Sequence, residues 1–330
     1  MRISRRQFVK AMAAMSAASM LAACGGNSGS GSSGGKKALT FQIWDVAQKE
    51  GMEAMCAAYT QQHPEVSIEV QVTSWNEYWT KLEAAATSNQ MPDIFWMHTN
   101  ELLKYADNGM LADCSDIVEK DKFSEISLSN AMGSNGTLYA VPKDKDTVGL
   151  VYNKEMFDAA GVAYPDENWT WDDLVSASEK IYAATDKYGY MAYADDQLGY
   201  WNFVYQAGGY ILNEDKTKAG FTQPATEKAM KFYIGLQQND WCPDQTYFAE
   251  TAPGTAFFSE KGAMFLEGDW NILAELQNYP EMVGKWDVAV LPKCPDPESG
   301  DGRATISNGL CYATAASNKN LDTVNRSMAS

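Results

Sequence analysis

Histidine is nearly missing from this chain: His63 and His98 are the only two among 330 residues. An HExxH zinc site or a Ser-His-Asp relay therefore has almost no material to draw on. The single GxSxG match, Gly31-Ser32-Ser33-Gly34-Gly35, sits in a Gly/Ser run that offers no strand-to-helix elbow to expose a serine. A GxxxxGK[ST] phosphate loop is absent, because Gly35-Lys36 is followed by Lys37. The six cysteines form no CxxC pair, and the wide spacings of Cys56, Cys114, Cys242, Cys294 and Cys311 suggest no metal cluster. Those five are an odd number, so at least one thiol is unpaired within the chain. No disulfide is assigned, and Cys56, on an apolar helical face, is expected to be buried. Asp144-x-Asp146 with Gly149 and Glu155 has the outline of a calcium loop, but Val148 stands where a third oxygen ligand belongs. No catalytic residue, metal or cofactor is expected. Basic residues are scarce as well: 26 Lys and Arg against 43 Asp and Glu give a net charge of −17, which opposes binding to nucleic acid or anionic lipid.

Long apolar runs are also lacking. The longest candidate, Val9 to Ala23, is interrupted by Ser16 and Ser19 and is shorter than the roughly 20 residues of a membrane span. It is preceded by Arg2, Arg5, Arg6 and Lys10 and followed by Cys24, so residues 1–24 read as an export signal. Ser4 to Lys10 has the form of a twin-arginine signal, and Leu21-Ala22-Ala23-Cys24 that of a lipobox, whose cysteine carries lipid after cleavage. Residues 25–37, GGNSGSGSSGGKK, form a flexible tether with nothing to pack. A tether behind a lipidated Cys24 places the folded part on the extracytoplasmic face of a bacterial membrane.

About 290 residues follow, with 45% apolar composition overall, enough for a large core split between two domains. Leu39, Phe41 and Ile43 alternate as a strand does; Met52, Met55, Cys56 and Tyr59 have helical spacing that stops at His63-Pro64. Val66 to Val72 alternates again, Trp79 to Ala86 is helical, and Asp93 to Met97 is a short buried strand. This β-α-β-α-β order predicts a mostly parallel sheet, with ligand loops beyond the strands' carboxyl ends at Trp44-Asp45 and at His98-Thr99-Asn100. A second region starts at Gly149-Leu150-Val151-Tyr152, includes a helix over Trp171 to Tyr182, and reaches a strand over Val288 to Leu291. Val141 to Thr147 reads as the crossing between lobes.

Aromatic residues beside acids or amides recur at these loops: Trp44-Asp45, His98-Thr99-Asn100, Trp201-Asn202 and Glu267-Gly268-Asp269-Trp270. Sugars present C–H faces rimmed by hydroxyls, which suits stacking combined with charge-assisted hydrogen bonds.

At these residues the chain resembles family 1 of the extracellular solute-binding proteins, the sugar-binding lipoproteins of ABC importers related to maltose-binding protein. The matching segments are Pro92 to Met97, Leu103 to Leu111, Leu138 to Gly161 and Trp169 to Asp173. Gln206 to Gly209, Lys261 to Met264, Gly268 to Trp270 and Leu291 to Lys293 follow in the same order. The resemblance implies an α/β, two-lobed periplasmic-binding-protein-like fold with a hinge and a cleft between the lobes. Residues 38–142 form lobe one, 143–300 lobe two, and 301–330 the return to lobe one through Asn308-Gly309. Carried over by position, the ligand-binding residues are Trp44, Asp45, Trp96, His98, Asn100, Asp144, Asp146, Trp201, Glu267, Trp270 and Asn308. Trp270 serves as stacking platform and the acids accept sugar hydroxyl hydrogens. The implied partners are a mono- or oligosaccharide, the permease subunits of the importer, and the membrane through Cys24; the protein is a monomer. Family members continue past Ala313 to Asn320 with further helices, so the chain is expected to be truncated, with an incomplete cleft and reduced stability. Two other functions use the same residues: an exported carbohydrate-active enzyme with two positioned carboxylates, and a sugar receptor for a signalling partner.

Overall fold

The computed structural model describes residues 36–213 and 217–329; the expected export signal, Cys24 and the expected tether up to Gly35 lie outside the described residues. The chain opens with β1 (Lys37–Ile43), α1 (Lys49–Gln62), β2 (Val66–Val72), α2 (Trp75–Thr87), β3 (Ile94–His98) and α3 (Thr99–Ala106). Leu39, Phe41 and Ile43 all turn into the core of β1, as the period of two requires. β1 pairs in parallel with β2 and with β3, and α1 and α2 make the connections between them. After α4 (Glu125–Asn130), the two-residue β4 (Val141–Pro142) closes the sheet edge, and with β10 (Leu310–Ala313) from the end of the chain the order is β2-β1-β3-β10-β4. Lobe one packs around this sheet, with Ile43, Tyr78, Trp96, Met97 and Leu102 at its centre. The Tyr78 hydroxyl donates to the Trp96 carbonyl at 2.7 Å, so a buried polar group is satisfied while the ring packs.

The chain crosses at β5 (Asp146–Asn153), then builds α5 (Lys154–Ala160), α6 (Trp171–Thr185), β6 (Tyr188–Tyr190), α7 (Trp201–Gln206) and α8 (Pro224–Leu236). α6 begins with a capping box: Thr170 Oγ1 accepts from the Asp173 amide while the Asp173 carboxylate accepts from the Thr170 amide. Gly161, at φ +63°, ends α5 in the left-handed region that a residue with a Cβ enters at a cost. α9 (Gln245–Glu250), α10 (Pro253–Phe258), β7 (Gly262–Gly268), α11 (Ile272–Asn278) and β8 (Trp286–Ala289) complete a second sheet of order β6-β7-β5-β8. Its two faces carry separate clusters, one around Leu150, Phe157 and Met264, the other around Val151, Phe257 and Phe265. The second face is only half covered. Beyond α10 a concavity of ≈620 Å³ opens over Gly149, Val151, Val288 and Val290.

The return runs through β9 (Ser307–Asn308) to β10 (Leu310–Ala313) and ends in α12 (Leu321–Ala329). Ile306 still packs in lobe two, so the chain leaves that lobe later than residue 301. β5 and β9 run antiparallel at the crossing, pairing Asp146 with Asn308 and Thr147 with Ser307. The approach is close enough that a Cβ on Gly309 would lie 2.7 Å from the Asp144 carbonyl oxygen. Two sequence expectations shift. The strand expected over Val288 to Leu291 is β8, two residues earlier, because its register on β5 pairs Trp286 with Asn153 and Ala289 with Leu150. Cys56 is only half-buried, since α1 turns just Met52 fully inward.

Candidate functional site

Because β1, β2 and β3 are parallel, their carboxyl ends open on one edge, and the loops there carry Trp44, Trp75 and His98. Trp44 is the hub of an aromatic cluster. Its ring lies 4.9 Å from Tyr78, 5.1 Å from both Trp75 and Trp96, and 5.6 Å from Trp79, the first three edge-to-face. Trp96 does not take the ligand-facing place expected of it: it is fully buried in lobe one, with the Lys143 ammonium 4.8 Å above its ring. The cause is its place in β3, mid-sheet, where Trp44 roofs it. Asp45 folds its own loop, accepting from the Ala47 amide at 2.8 Å and from Gln48 Nε2 at 2.9 Å. Asn100 stands exposed at the start of α3.

His98 is 7% exposed, and its Nδ1 accepts the Asn100 amide at 3.1 Å. That bond leaves the proton of the neutral ring on Nε2. Burial pushes its pKa down to about 4 against the opposing pull of Asp196 and Asp144, so the ring is neutral at physiological pH.

The crossing joins this wall to lobe two. Asp144 accepts from the Leu310 amide at 2.7 Å through one oxygen and from Lys143 through the other; Lys143 also reaches Gln48 at 3.1 Å. Asp144 therefore braces the hinge first. The Asp146 carboxyl has no hydrogen-bonded partner among the described residues, and burial, then the charges of Asp144 and Asp269, raise its pKa to about 7. Asp269 accepts from the Thr147 amide at 3.1 Å, which draws the segment bearing Trp270 to the crossing. The Trp270 ring lies so close over Gly268 that a side chain there would collide with it. Asn308 donates to Gln197, inside a kinked turn over Asp196–Tyr200 that leads directly into Trp201. Trp201 and Trp270 are both half-buried against the lobe-two core. Glu267 departs from the expected open acceptor. It is 5% exposed, and its Oε1 is held inside lobe two by the Gly268 amide and Asn271 Nδ2, each at 2.8 Å. Burial raises its pKa to about 7 in spite of those bonds.

The structure thus gathers Trp44, Asp45, His98, Asn100, Asp144, Asp146 and Asn308 about the crossing. It sets Trp201 and Trp270 on the lobe-two side and withdraws Trp96 and Glu267 into the two interiors. Such a site can stack a ring and offer fixed donors and acceptors; among the described residues no group of three or more His, Cys, Asp or Glu is arranged to hold a metal. Sequence reasoning missed Trp75 and the Asp195–Gln197 turn. Trp75 had a readable signal, since it follows β2 just as Trp44 follows β1.

Comparison with known proteins bears on the family and the fold. Residues 44–323 match the family model of the bacterial extracellular solute-binding proteins. The diacetylchitobiose-binding protein DasA of Streptomyces coelicolor is 24% identical over 95% of this chain and 75% of its own length. The lactose-binding protein of Rhizobium radiobacter is 25% identical over 84% of this chain and 67% of its own. Among solved structures, a Listeria monocytogenes ABC substrate-binding protein in complex with cycloalternan superposes with a TM-score of 0.77 at 24% identity, covering 89% of this chain and 74% of that one. A Thermotoga lettingae ABC transporter solute-binding protein with bound α-D-tagatose gives 0.76 at 25%, covering 89% and 76%. With two α/β lobes and two strands crossing between them already in view, the match over most of the chain decides its kinship: it belongs to the bacterial extracellular solute-binding proteins.

Proposed function

We propose that this chain is the binding component of an ABC importer, holding a mono- or oligosaccharide in the inter-lobe cleft and delivering it to the permease subunits. The observation that carries this reading is the cleft. Half-exposed tryptophans flank a crossing at which His98 and Asp146 keep hydrogen-bonding groups unused by the protein. Relatives named for lactose and diacetylchitobiose, and a neighbour with bound tagatose, support a carbohydrate rather than a peptide or a metal as cargo. The ligand-binding set is Trp44, Asp45, His98, Asn100, Asp146, Trp201, Trp270 and Asn308, with Asp144 as hinge brace. Binding without chemistry is the role: the cleft receives and releases its cargo unchanged. The protein acts as a monomer on the extracytoplasmic face of the cell membrane, anchored by lipid on Cys24.

A thermal-shift screen with mono- and oligosaccharides tests this. A ligand at 100 times its Kd stabilises the native state by about 2.7 kcal/mol, a rise of several degrees in the unfolding midpoint. Trp270→Ala should abolish the shift. Release of smaller sugars from an oligosaccharide incubated with the protein alone would favour an enzyme instead.

A further inference from the structure

At the end of lobe two far from the cleft, a concavity of ≈400 Å³ opens between the start of α5, the end of α6 and the turn from α10 into β7. Asn153, the last residue of β5, forms part of its wall and is itself fully buried. β5 leaves the crossing at Asp146, so its length at about 3.3 Å per residue puts this wall roughly 23 Å from the hinge.

The Asn153 side chain caps α5 with its oxygen, Oδ1 accepting from the Met156 amide at 3.1 Å. An amide nitrogen cannot accept that bond, so the orientation of the group is fixed and Nδ2 faces the other way. Nδ2 is buried and has no hydrogen-bond partner, and it is the one polar side-chain atom of this wall in that condition among the described residues. The Lys154 amide is likewise spent, on the Lys285 carbonyl at 2.8 Å, so what stands open here is a side chain and not the end of a helix. A buried donor without an acceptor is costly, and an oxygen brought to it removes that cost.

The surrounding charges decide what carries that oxygen. Lys187 and Lys261 line the concavity with no salt-bridged acid among the described residues. The two acids of the wall, Glu155 and Glu260, both turn to a third lysine, Lys285, at 3.7 and 3.3 Å. Three ammonium groups against two carboxylates leave a local excess of positive charge on a chain whose net charge is −17. The exposed hydroxyl of Ser259 adds another donor. A neutral ligand leaves the two uncommitted ammonium groups unused, and a cation is repelled by them. An anion with several oxygens meets every donor at once.

We infer that this concavity is an oxyanion site for phosphate or sulfate, free or as an ester on a larger molecule, with Asn153 Nδ2–H, Lys187 and Lys261 as its donors. The site shares no residue with the cleft and does not depend on the sugar-binding reading.

The test titrates the purified chain at neutral pH with inorganic phosphate, sulfate and glycerol 3-phosphate, sodium chloride holding the ionic strength constant. The unfolding midpoint should rise along a saturating curve, as binding at a site requires, whereas general salting-out grows without saturation. Lys187→Gln and Lys261→Gln should each weaken the calorimetric affinity about 3- to 10-fold, and the double variant by roughly the product. Asn153→Asp keeps the oxygen that caps α5 and puts an acceptor where Nδ2–H was, so it should abolish binding while the circular dichroism spectrum stays native. If that variant does not fold, the double lysine variant carries the test. Saturation by phosphate or sulfate supports a site for the free ion, and saturation by glycerol 3-phosphate alone supports one for an ester. A midpoint that saturates with none of the three overturns the site. So does affinity left unchanged in the double lysine variant or in a folded Asn153→Asp.

Discussion

Glu267 and Asp146 titrate far above ordinary carboxyl groups, and the reasons differ. Glu267 is lifted to about 7 by burial against two hydrogen bonds that resist; Asp146 is lifted to about 7 by burial and by two neighbouring acids. In the unfolded chain both ionise near pH 4, so between there and neutrality the native state binds more protons, and stability from these groups rises as pH falls through that window. His98 runs the other way. Its native pKa of about 4 lies below the unfolded value of 6.5, so the unfolded state binds more protons between those values, and stability falls as pH drops through them. Glu267→Gln keeps the accepting oxygen and removes the charge. It should stabilise the protein by about 1–3 kcal/mol at pH 8 and by much less near pH 5, measured by urea unfolding at both. Equal effects at the two values would show that burial does not disfavour the Glu267 carboxylate. At this scale the sequence was only partly legible. Trp44 and Trp75 follow β1 and β2 while Trp96 lies within β3, and only the roofing of one by another decides which is buried and which stays partly exposed. Local pattern holds no record of that order.

Elements were far easier to read than sites. β1, α1, β2 and α2 follow from periodicities of two and 3.6 with caps at their ends, because each is written in consecutive residues. β4 is different: its two residues exist as a strand only because β10, some 170 positions later, pairs with them. The hinge is likewise non-local, and its tightness makes a sharp contrast between two glycines. Gly309→Ala should destabilise by about 1–3 kcal/mol through the collision with the Asp144 carbonyl, or bend the crossing and weaken ligand affinity. Gly51→Ala, within α1 and with nothing within 4 Å of its Cβ, should stabilise by about 0.5–1 kcal/mol. Urea midpoints of the two variants settle both, and a neutral Gly309→Ala would mean that the crossing strands part without cost.

On the scale of the whole molecule, two cores lie either side of a two-strand crossing, and the division into lobes was legible as a second run of alternating strands. The half-covered face of the lobe-two sheet was not. Val288 and Val290 look like ordinary strand residues, and their exposure depends on whether anything packs across β8, the edge strand of its sheet. With Val290 50% exposed, and Leu273 and Leu276 exposed on α11, that face is a sticky patch on an otherwise strongly acidic particle. Mutual repulsion from a net charge of −17 keeps copies apart at neutral pH, so the colloidal behaviour of the protein is set by a balance between charge and one greasy edge. Acidification to about pH 5 or high salt should tip it, raising the hydrodynamic radius seen by light scattering, and Val288→Lys should delay the onset. If growth proceeds unchanged in that variant, a different surface does the sticking. The same edge therefore sets how concentrated a solution of the protein can become before its molecules begin to cluster.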